Sequence, residues 1–246
     1  MKNHLLSYSL IACSASASTF VAAEEPFKKA YTPPSRGFFL EQGKVNTGDH
    51  ISIDLHSGAN GLQNGGSIRL GLSQAELILN SGLGLNTAST GNDVSLKWGL
   101  PPIRSGDQQT TDQFAWSLVT GLSVIDFDNS NNDQTNLKLG VAATISADAA
   151  TFTLTPSLIY SDIADNSDTF LELGLGAYAG LIDTESGLFS IGAEVVMSTQ
   201  DDSDTTALVG TRWSYNERVN IDIIPMIFSN SDILGIPGLV RLNVVF

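Results

Sequence analysis

One pattern recurs from residue 49 to the C-terminus: stretches of alternating apolar and polar residues, each followed by a turn. Alternation with a period of two places alternate side chains on opposite faces of a β-strand. Most of these stretches approach the ~9–11 residues that a tilted strand needs to cross a bilayer. We read twelve strands, at 49–57, 66–73, 75–86, 93–100, 114–126, 135–147, 150–161, 168–181, 186–199, 204–215, 217–229 and 236–246.

The connections between these strands alternate in kind. Polar stretches such as DNSNNDQ, DIADNSD and QDDSD alternate with tight turns such as ADAA at 147–150 and YNER at 215–218, and the link 101–113 is the one long exception. Short turns on one side and longer polar loops on the other are typical of an antiparallel transmembrane β-barrel with periplasmic turns and extracellular loops. An exported β-sandwich is the alternative fold.

The chain ends on GLVRLNVVF, an alternating strand that stops at an aromatic residue, Phe246. Chain termini are normally polar and frayed, so an apolar face at the very end indicates contact with lipid. This ending resembles the C-terminal strand that the assembly machinery of the bacterial outer membrane recognises. The resemblance implies an outer-membrane location, with the assembly machinery, membrane lipid and lipopolysaccharide as partners.

The N-terminal part predicts export and a separate segment. Residues 1–23 have a positive start, an apolar stretch and a small-residue cleavage site, as a signal peptide does. A lipobox, LIAC, is the alternative, and it would make Cys13 a lipidated N-terminus. Residues 24–48, with two adjacent prolines and mixed charges, predict an extended segment that lies in the periplasm or enters the lumen. Residues 49–246 form the predicted barrel.

Composition and motifs exclude several functions. The net charge of −14 argues against binding nucleic acid, which requires a basic face. The sequence contains no nucleophile elbow, phosphate loop, dinucleotide motif or His/Cys metal cluster, so we expect no cofactor, no metal site and no enzyme activity. The histidines beyond the signal peptide are His50 and His56, and a rim-site enzyme that uses His56 beside a carboxylate is the weakest alternative.

The alternation also predicts which residues face outward and which face the lumen. Aromatic residues of outward parity near the turn ends of their strands predict a girdle at the membrane interface. They are Trp98, Phe114, Trp116, Trp213, Tyr215 and Phe246. Charged residues of inward parity are candidate pore-lining residues, namely Asp54, Arg69, Glu76, Lys97, Lys138, Glu172, Glu194, Arg212, Asp222 and Arg241.

Two interpretations of the charged lumen remain open. Around the wall the predicted signs alternate from Glu194 to Lys97, so the charges either pair into a stiffening ladder or line a pore that selects solutes. A second part of the wall is nearly uncharged. It has hydroxyls from Thr151 to Ser157 and glycines at 174, 176 and 180 beside Tyr178, and it predicts a smooth path for a solute.

The hairpin RLGLSQAELILNSG (69–82) and the strand NDVSLKWGL (92–100) resemble a family of outer-membrane transporters of the phenol-degradation MetA-pathway type. Arg69, Gly71, Leu72, Glu76 and Leu77 match the first part of the pattern, and Asp93, Leu96 and Lys97 match the second. The resemblance implies a barrel that passes small hydrophobic or aromatic molecules, and it does not identify the solute.

We therefore hypothesise a passive outer-membrane channel or transporter for small molecules. The alternative is a structural or surface-interaction barrel with a plugged lumen. An open lumen with an uncharged wall favours transport, whereas a lumen filled by residues 24–48 or by side chains favours the alternative.

Overall fold

The computed structural model describes residues 36–45, 50–58, 64–82, 89–101, 113–127, 133–147, 150–163, 166–185, 187–200, 203, 205–216, 218–229, 232–235 and 238–246. The predicted signal peptide, Cys13 and residues 24–35 and 46–49 of the N-terminal segment lie outside these ranges. No helix in the described ranges is long and apolar enough to cross a membrane.

The described chain is all-β. Its strands are β1 (Ile51–Gly58), β2 (Gly65–Leu72), β3 (Ala75–Ser81), β4 (Ser89–Gly99), β5 (Gln113–Phe127), β6 (Gln134–Ala147), β7 (Ala150–Ile163), β8 (Asn166–Thr184), β9 (Gly187–Ser198), β10 (Thr206–Asn216), β11 (Val219–Ser229), β12 (Asp232–Gly235) and β13 (Leu239–Val245).

Twelve of these strands close into one antiparallel barrel. Each strand from β1 to β10 pairs with the next along the chain, so the last of these pairs is β10 with β11. β11 then pairs with β13, and β13 pairs with β1, which closes the barrel. The closing pair runs in register from Ser52 opposite Val245 to Gly58 opposite Leu239, and the amide of Phe246 donates to the carbonyl of Ile51 at 2.8 Å. In the described part of the chain, each of the twelve wall strands thus has a neighbour on both sides, as a barrel in lipid requires.

The predicted fold class is confirmed, with three corrections, one of which is that β4 begins at Ser89, so residues 89–92 belong to a strand and not to a loop. The sequence pattern missed β12, a four-residue strand that pairs only with β11 beyond the wall of the barrel. The polar stretch 162–168 is not a long loop, because β7 and β8 pair as far as Ile163 and Asn166. The end of this hairpin extends beyond the apolar band, where both of its faces are exposed to water. Polar residues can therefore continue the strands there, and they do not mark a loop.

The two faces of the barrel differ as the alternation predicts. Large apolar side chains such as Leu55, Leu139 and Phe152 point outward and are 56–60% exposed. Soluble proteins do not normally expose apolar surface that continues around the whole molecule. An apolar band of this kind is the outer surface of a barrel that is embedded in lipid.

The six predicted interface aromatics all lie on the outer face near the turn ends of their strands. Trp98, Tyr215 and Phe246 are exposed, whereas Phe114, Trp116 and Trp213 are half-buried. Trp213 packs between Phe189 and Tyr215, with ring centroids 6.1 and 5.9 Å away. Their contact with the membrane interface remains a prediction.

Tryptophan fluorescence tests that prediction, because the chain has three tryptophans and all three lie in this group. In reconstituted vesicles we expect lipids that are brominated near the headgroup to quench the emission strongly, and aqueous iodide to quench it weakly. The reverse ranking of the two quenchers would show that the turn end of the barrel lies in water.

The N-terminal residues 36–45 lie inside the barrel. We call this segment the plug. Its residues Phe38, Leu40 and Gln42 are buried, although they belong to no strand of the wall. The sequence left the periplasm and the lumen open for this segment, and its described part occupies the lumen.

Candidate functional site

A tight turn at the tip of the plug is held by one carboxylate of the wall. The amide of Gly37 donates to the carbonyl of Leu40 at 2.8 Å, and the backbones of Arg36 and Glu41 form an antiparallel β-bridge across the turn. The turn leaves three successive amides without partners in the plug. Glu194 on β9 accepts all three, from Phe38 at 2.5 Å, Phe39 at 2.8 Å and Leu40 at 3.1 Å. A buried carboxylate that accepts several amide hydrogen bonds is a strong fixed anchor.

Two arginines of the wall hold the carbonyl groups of the same turn. Arg212 donates to the carbonyl of Gly37 at 2.9 Å, and Arg241 donates to that carbonyl at 3.1 Å and to the carbonyl of Phe38. Asp222 lies between the two arginines and accepts from both, at 2.6 Å from Arg212 Nε and 2.9 Å from Arg241 Nε. Asp222 therefore orients the arginines that bind the plug.

The plug also completes ion pairs on the opposite side of the lumen. Arg36 lies 2.6 Å from Asp54, and Glu41 lies 2.6 Å from Arg69 and 3.2 Å from Lys97. Arg69 and Lys97 also approach Glu76, but only to 3.6 and 3.9 Å. The closest carboxylate to each of these two buried cations thus belongs to the plug rather than to the wall.

The electrostatics of Glu41 follow from this position. Burial disfavours its charge, but the charges of Arg69 and Lys97 outweigh that effect and lower the pKa of the carboxyl well below its ordinary range. Glu41 is therefore ionised at physiological pH and attracts both cations.

The rest of the plug runs toward the turn end of the barrel. The amide of Gly43 donates to Thr144 on β6 at 2.8 Å. A Cβ built on Gly99, at the end of β4, would lie 3.1 Å from the side chain of Val45. The plug consequently crosses the lumen from β9 and β10 to β4 and β6.

Several glycines of the wall make room for the plug. A Cβ on Gly174 would lie 2.4 Å from Leu40, and one on Gly192 would lie 2.8 Å from the ring of Phe38. Within the plug, a Cβ on Gly37 would lie 1.8 Å from the hydroxyl of Tyr178. These contacts correct the predicted solute path beside Tyr178, because the plug fills the space that the glycines leave.

A cavity of about 390 Å³ lies between the plug and the loop end of the barrel. Its floor is formed by Phe38, Phe39 and Glu41 of the plug. One wall carries the apolar residues Val196, Leu208 and Leu239 among polar ones, and the other is polar, with His56, Ser67, Asn80 and Arg69. Its volume lies in the range of about 300–1,000 Å³ that is typical of sites for small molecules.

The structure places most of the candidate pore-lining residues in the lumen and turns them toward the plug or toward each other. Eight are buried, namely Asp54, Arg69, Glu76, Lys97, Glu194, Arg212, Asp222 and Arg241. Lys138 and Glu172 form a separate, partly exposed ion pair at 2.8 Å. Whether any of these residues contacts a solute remains a prediction.

The predicted ladder of alternating charges needs two corrections, the first being that Asp54 lies opposite Asn243 and not opposite Arg241. Arg212, Asp222 and Arg241 do form a continuous network of opposite charges. Glu194 does not stand beside Arg212 in the wall, because the register sets it opposite Leu208. Glu194 instead accepts hydrogen bonds from the plug and from Tyr178.

The functional residues that sequence reasoning missed are those of the plug itself. Two adjacent phenylalanines, Phe38 and Phe39, flanked by the charges of Arg36 and Glu41, are unusual in a solvated linker. That signal was present, but nothing in a period-two pattern shows which part of the wall such residues contact.

The rim-site enzyme hypothesis gains no support from the arrangement. His56 is half-buried in the cavity wall, with the guanidinium groups of Arg36 and Arg241 among the charges that surround it. Within the described ranges, no three side chains of His, Cys, Asp or Glu converge so that they could hold a metal ion.

Comparisons with known proteins add little to this description. No protein-family model matches the chain, and no curated protein matches it. Among solved structures, a bacterial polysaccharide outer membrane secretin is 12% identical, with 80% of this chain and 97% of that chain covered and a TM-score of 0.41. The NanC porin is 10% identical, with 80% and 98% covered and a TM-score of 0.44.

Similarity at this level carries no argument about function. The family resemblance of residues 69–100 is not supported by these comparisons and stays a prediction. The fold and the site rest on the strand pairing and side-chain contacts of this chain.

Proposed function

We propose that this protein is an outer-membrane barrel that passes small molecules and is closed by its own plug, residues 36–45. The aqueous route runs through the lumen. It opens when the plug leaves its anchors at Glu194, Arg241 and Arg69. The solute remains to be identified, and the hydrophobic or aromatic molecules implied by the family resemblance are candidates.

The observation that carries this proposal is a polar lumen that is shut by a segment outside the wall. The plug completes ion pairs with Asp54, Arg69 and Lys97 that the wall completes less closely by itself. Above it lies a cavity large enough for a small molecule. A barrel that served only as a scaffold would need no cavity beside the segment that occupies its lumen.

The second candidate function is a structural or surface-interaction barrel with a permanently plugged lumen. The specific observation in its favour is the extent of the anchoring, because Glu194, Arg212 and Arg241 together bind five backbone groups of the turn. Under this alternative, removal of the plug creates a pore that the native protein never opens.

Solute flux into liposomes tests the proposal. We expect vesicles that contain the full-length protein to swell slowly in small neutral sugars, and vesicles that contain a variant without residues 36–45 to swell rapidly. Equal rates for the two folded proteins would contradict closure by the plug. Vesicles of matched protein content, checked for barrel formation by heat-modifiable mobility, provide the control.

Location and partners follow from the same proposal. An exported barrel with an apolar outer band belongs in the bacterial outer membrane, surrounded by lipid and lipopolysaccharide. The C-terminal strand that ends at Phe246 is the segment that we expect the assembly machinery to recognise. Phe246→Ala, which leaves β13 and the closure of the barrel in place, tests that role, and we expect it to reduce membrane insertion in cells.

A further inference from the structure

The lumen wall contains a pocket that is built for an aromatic ring, and the ring of Phe38 occupies it. Phe38 is 1% exposed and clusters with Tyr178, Leu208, Ile224, Ile227 and Leu239. These wall residues are apolar in a lumen whose other buried residues are mostly polar. Wall positions that face a water-filled lumen are normally polar, so this cluster of apolar side chains is best explained by the ring that it surrounds.

The geometry of the pocket suits an aromatic ring better than an aliphatic side chain. Tyr178 meets the ring of Phe38 edge to face, with centroids 5.7 Å apart and planes at 66°. The guanidinium of Arg212 lies over the ring, 5.4 Å from its centroid. Edge-to-face and cation–π contacts both depend on the charge distribution of an aromatic ring.

Two glycines of the wall set the depth of the pocket. A Cβ on Gly192 would lie 2.8 Å from the ring of Phe38, and one on Gly210 would lie 3.1 Å from it. Any larger residue at either position would therefore shorten the space that the ring fills.

The same site also binds the backbone N–H and C=O groups of Phe38. The amide of Phe38 donates to Glu194 at 2.5 Å, and its carbonyl accepts from Arg241. Glu194 and Arg241 are buried, so a ligand that reaches the site finds a preformed acceptor and a preformed donor. Phe38, Glu194, Leu208 and Arg241 also line the 390 Å³ cavity, which gives a small molecule a place beside the pocket.

We propose that this pocket is a binding site for a small aromatic amide, and that such a molecule opens the barrel by taking the place of Phe38. The ligand class is a phenyl-sized ring with an amide donor and acceptor next to it, as in a phenylalanyl amide. This inference rests on the proposed function, because displacement of Phe38 matters only if the plug closes a route.

Binding of the ring is tested in the full chain with Phe38→Ala, which removes the ring and leaves in place the walls of the pocket and the backbone contacts of residue 38 with Glu194 and Arg241. The probes are N-acetyl-L-phenylalaninamide and N-acetyl-L-alaninamide, and the readout is the shift of thermal unfolding in detergent. We expect Phe38→Ala to bind the phenylalanyl amide about tenfold more tightly than the alanyl amide, because only the former buries a ring. In wild type and in Phe152→Ala, which removes a ring from the outer face, Phe38 competes for the pocket, so we expect a smaller difference between the two probes than in Phe38→Ala.

Equal affinity of folded Phe38→Ala for both probes would overturn the site. If Phe38→Ala does not fold, Phe38→Leu, which leaves part of the pocket free, takes its place with the same criterion. Opening is tested on wild type in a planar bilayer, where the phenylalanyl amide should increase the open time and the alanyl amide should not. Binding without any change in open time would overturn the opening step.

These outcomes separate this inference from the proposed function. A wild-type channel that is fully open without any amide contradicts closure by the plug, yet the comparison of probes on Phe38→Ala still decides whether the aromatic site exists.

Discussion

Glu41→Lys is expected to convert a closed barrel into a conducting one. The substitution places a third positive charge beside Arg69 and Lys97, which are 3% and 0% exposed and lie 2.6 and 3.2 Å from the present carboxylate. Breaking a buried ion pair costs about 3–5 kcal/mol. A cost of that size shifts the balance between seated and released plug by about a hundredfold or more, since each 1.4 kcal/mol is a factor of about ten.

Single-channel recording measures this change. Wild type should show rare or no steps, and Glu41→Lys should show frequent steps of long duration. Glu185→Lys is the matched control, because it makes the same change of charge at an exposed turn between β8 and β9. A folded Glu41→Lys barrel that stays as silent as Glu185→Lys would show that these ion pairs do not hold the plug.

Asp222→Ala is expected to cause the largest loss of stability among the lumen variants. Asp222 is 1% exposed and accepts hydrogen bonds from Arg212 and Arg241, which are themselves buried. Its removal leaves two buried guanidinium groups without the carboxylate between them. We expect the free energy of unfolding to fall by about 3–5 kcal/mol, the range measured when one partner of a buried ion pair is removed.

Urea unfolding in lipid vesicles, followed by tryptophan fluorescence, measures that loss. Asp168→Ala serves as the control, because Asp168 is an exposed carboxylate on β8, and surface substitutions usually change stability by no more than about 0.5 kcal/mol. If Asp222→Ala unfolds at the same urea concentration as Asp168→Ala, the network of Asp222, Arg212 and Arg241 does not stabilise the barrel.

The wall of this barrel was predictable from sequence because lipid and lumen impose a strict period of two. The strand from Ala150 to Ile163 shows this most clearly, since its residues alternate between buried and exposed along almost its whole length. Parity alone therefore placed Asp54, Arg69 and Asp222 inside. The strand ends were less certain where both faces meet water, as between Ile163 and Asn166.

The plug was not predictable in the same way, because its contacts join residues that are far apart in the chain. The carbonyl of Phe38 accepts a hydrogen bond from Arg241, 203 positions away in the chain. The carboxylate of Glu41 accepts one from Lys97, 56 positions away. No periodicity encodes such contacts. Gly174 was predicted to line an open path, whereas its missing side chain accommodates Leu40.

Charge pairing was predicted correctly only where both partners lie on the wall. Arg212 and Asp222 are direct neighbours in the register of β10 and β11, so alternating signs on adjacent strands were sufficient. Glu194 accepts three amide hydrogen bonds from the plug, and Arg69 has its closest carboxylate there, whereas the wall pattern contains no information about that segment.

The central claim is that residues 36–45 close the lumen, and current through a planar bilayer tests it most directly. The measurement compares the full-length protein with a variant that lacks these residues, and then adds a synthetic peptide of residues 36–45 to the side of the short turns. We expect a nearly silent full-length barrel, a conducting deletion variant and a block of its current by the peptide, but not by a scrambled peptide of the same composition. A full-length protein that conducts as steadily as the deletion variant, or a deletion variant that folds and remains silent, would contradict it.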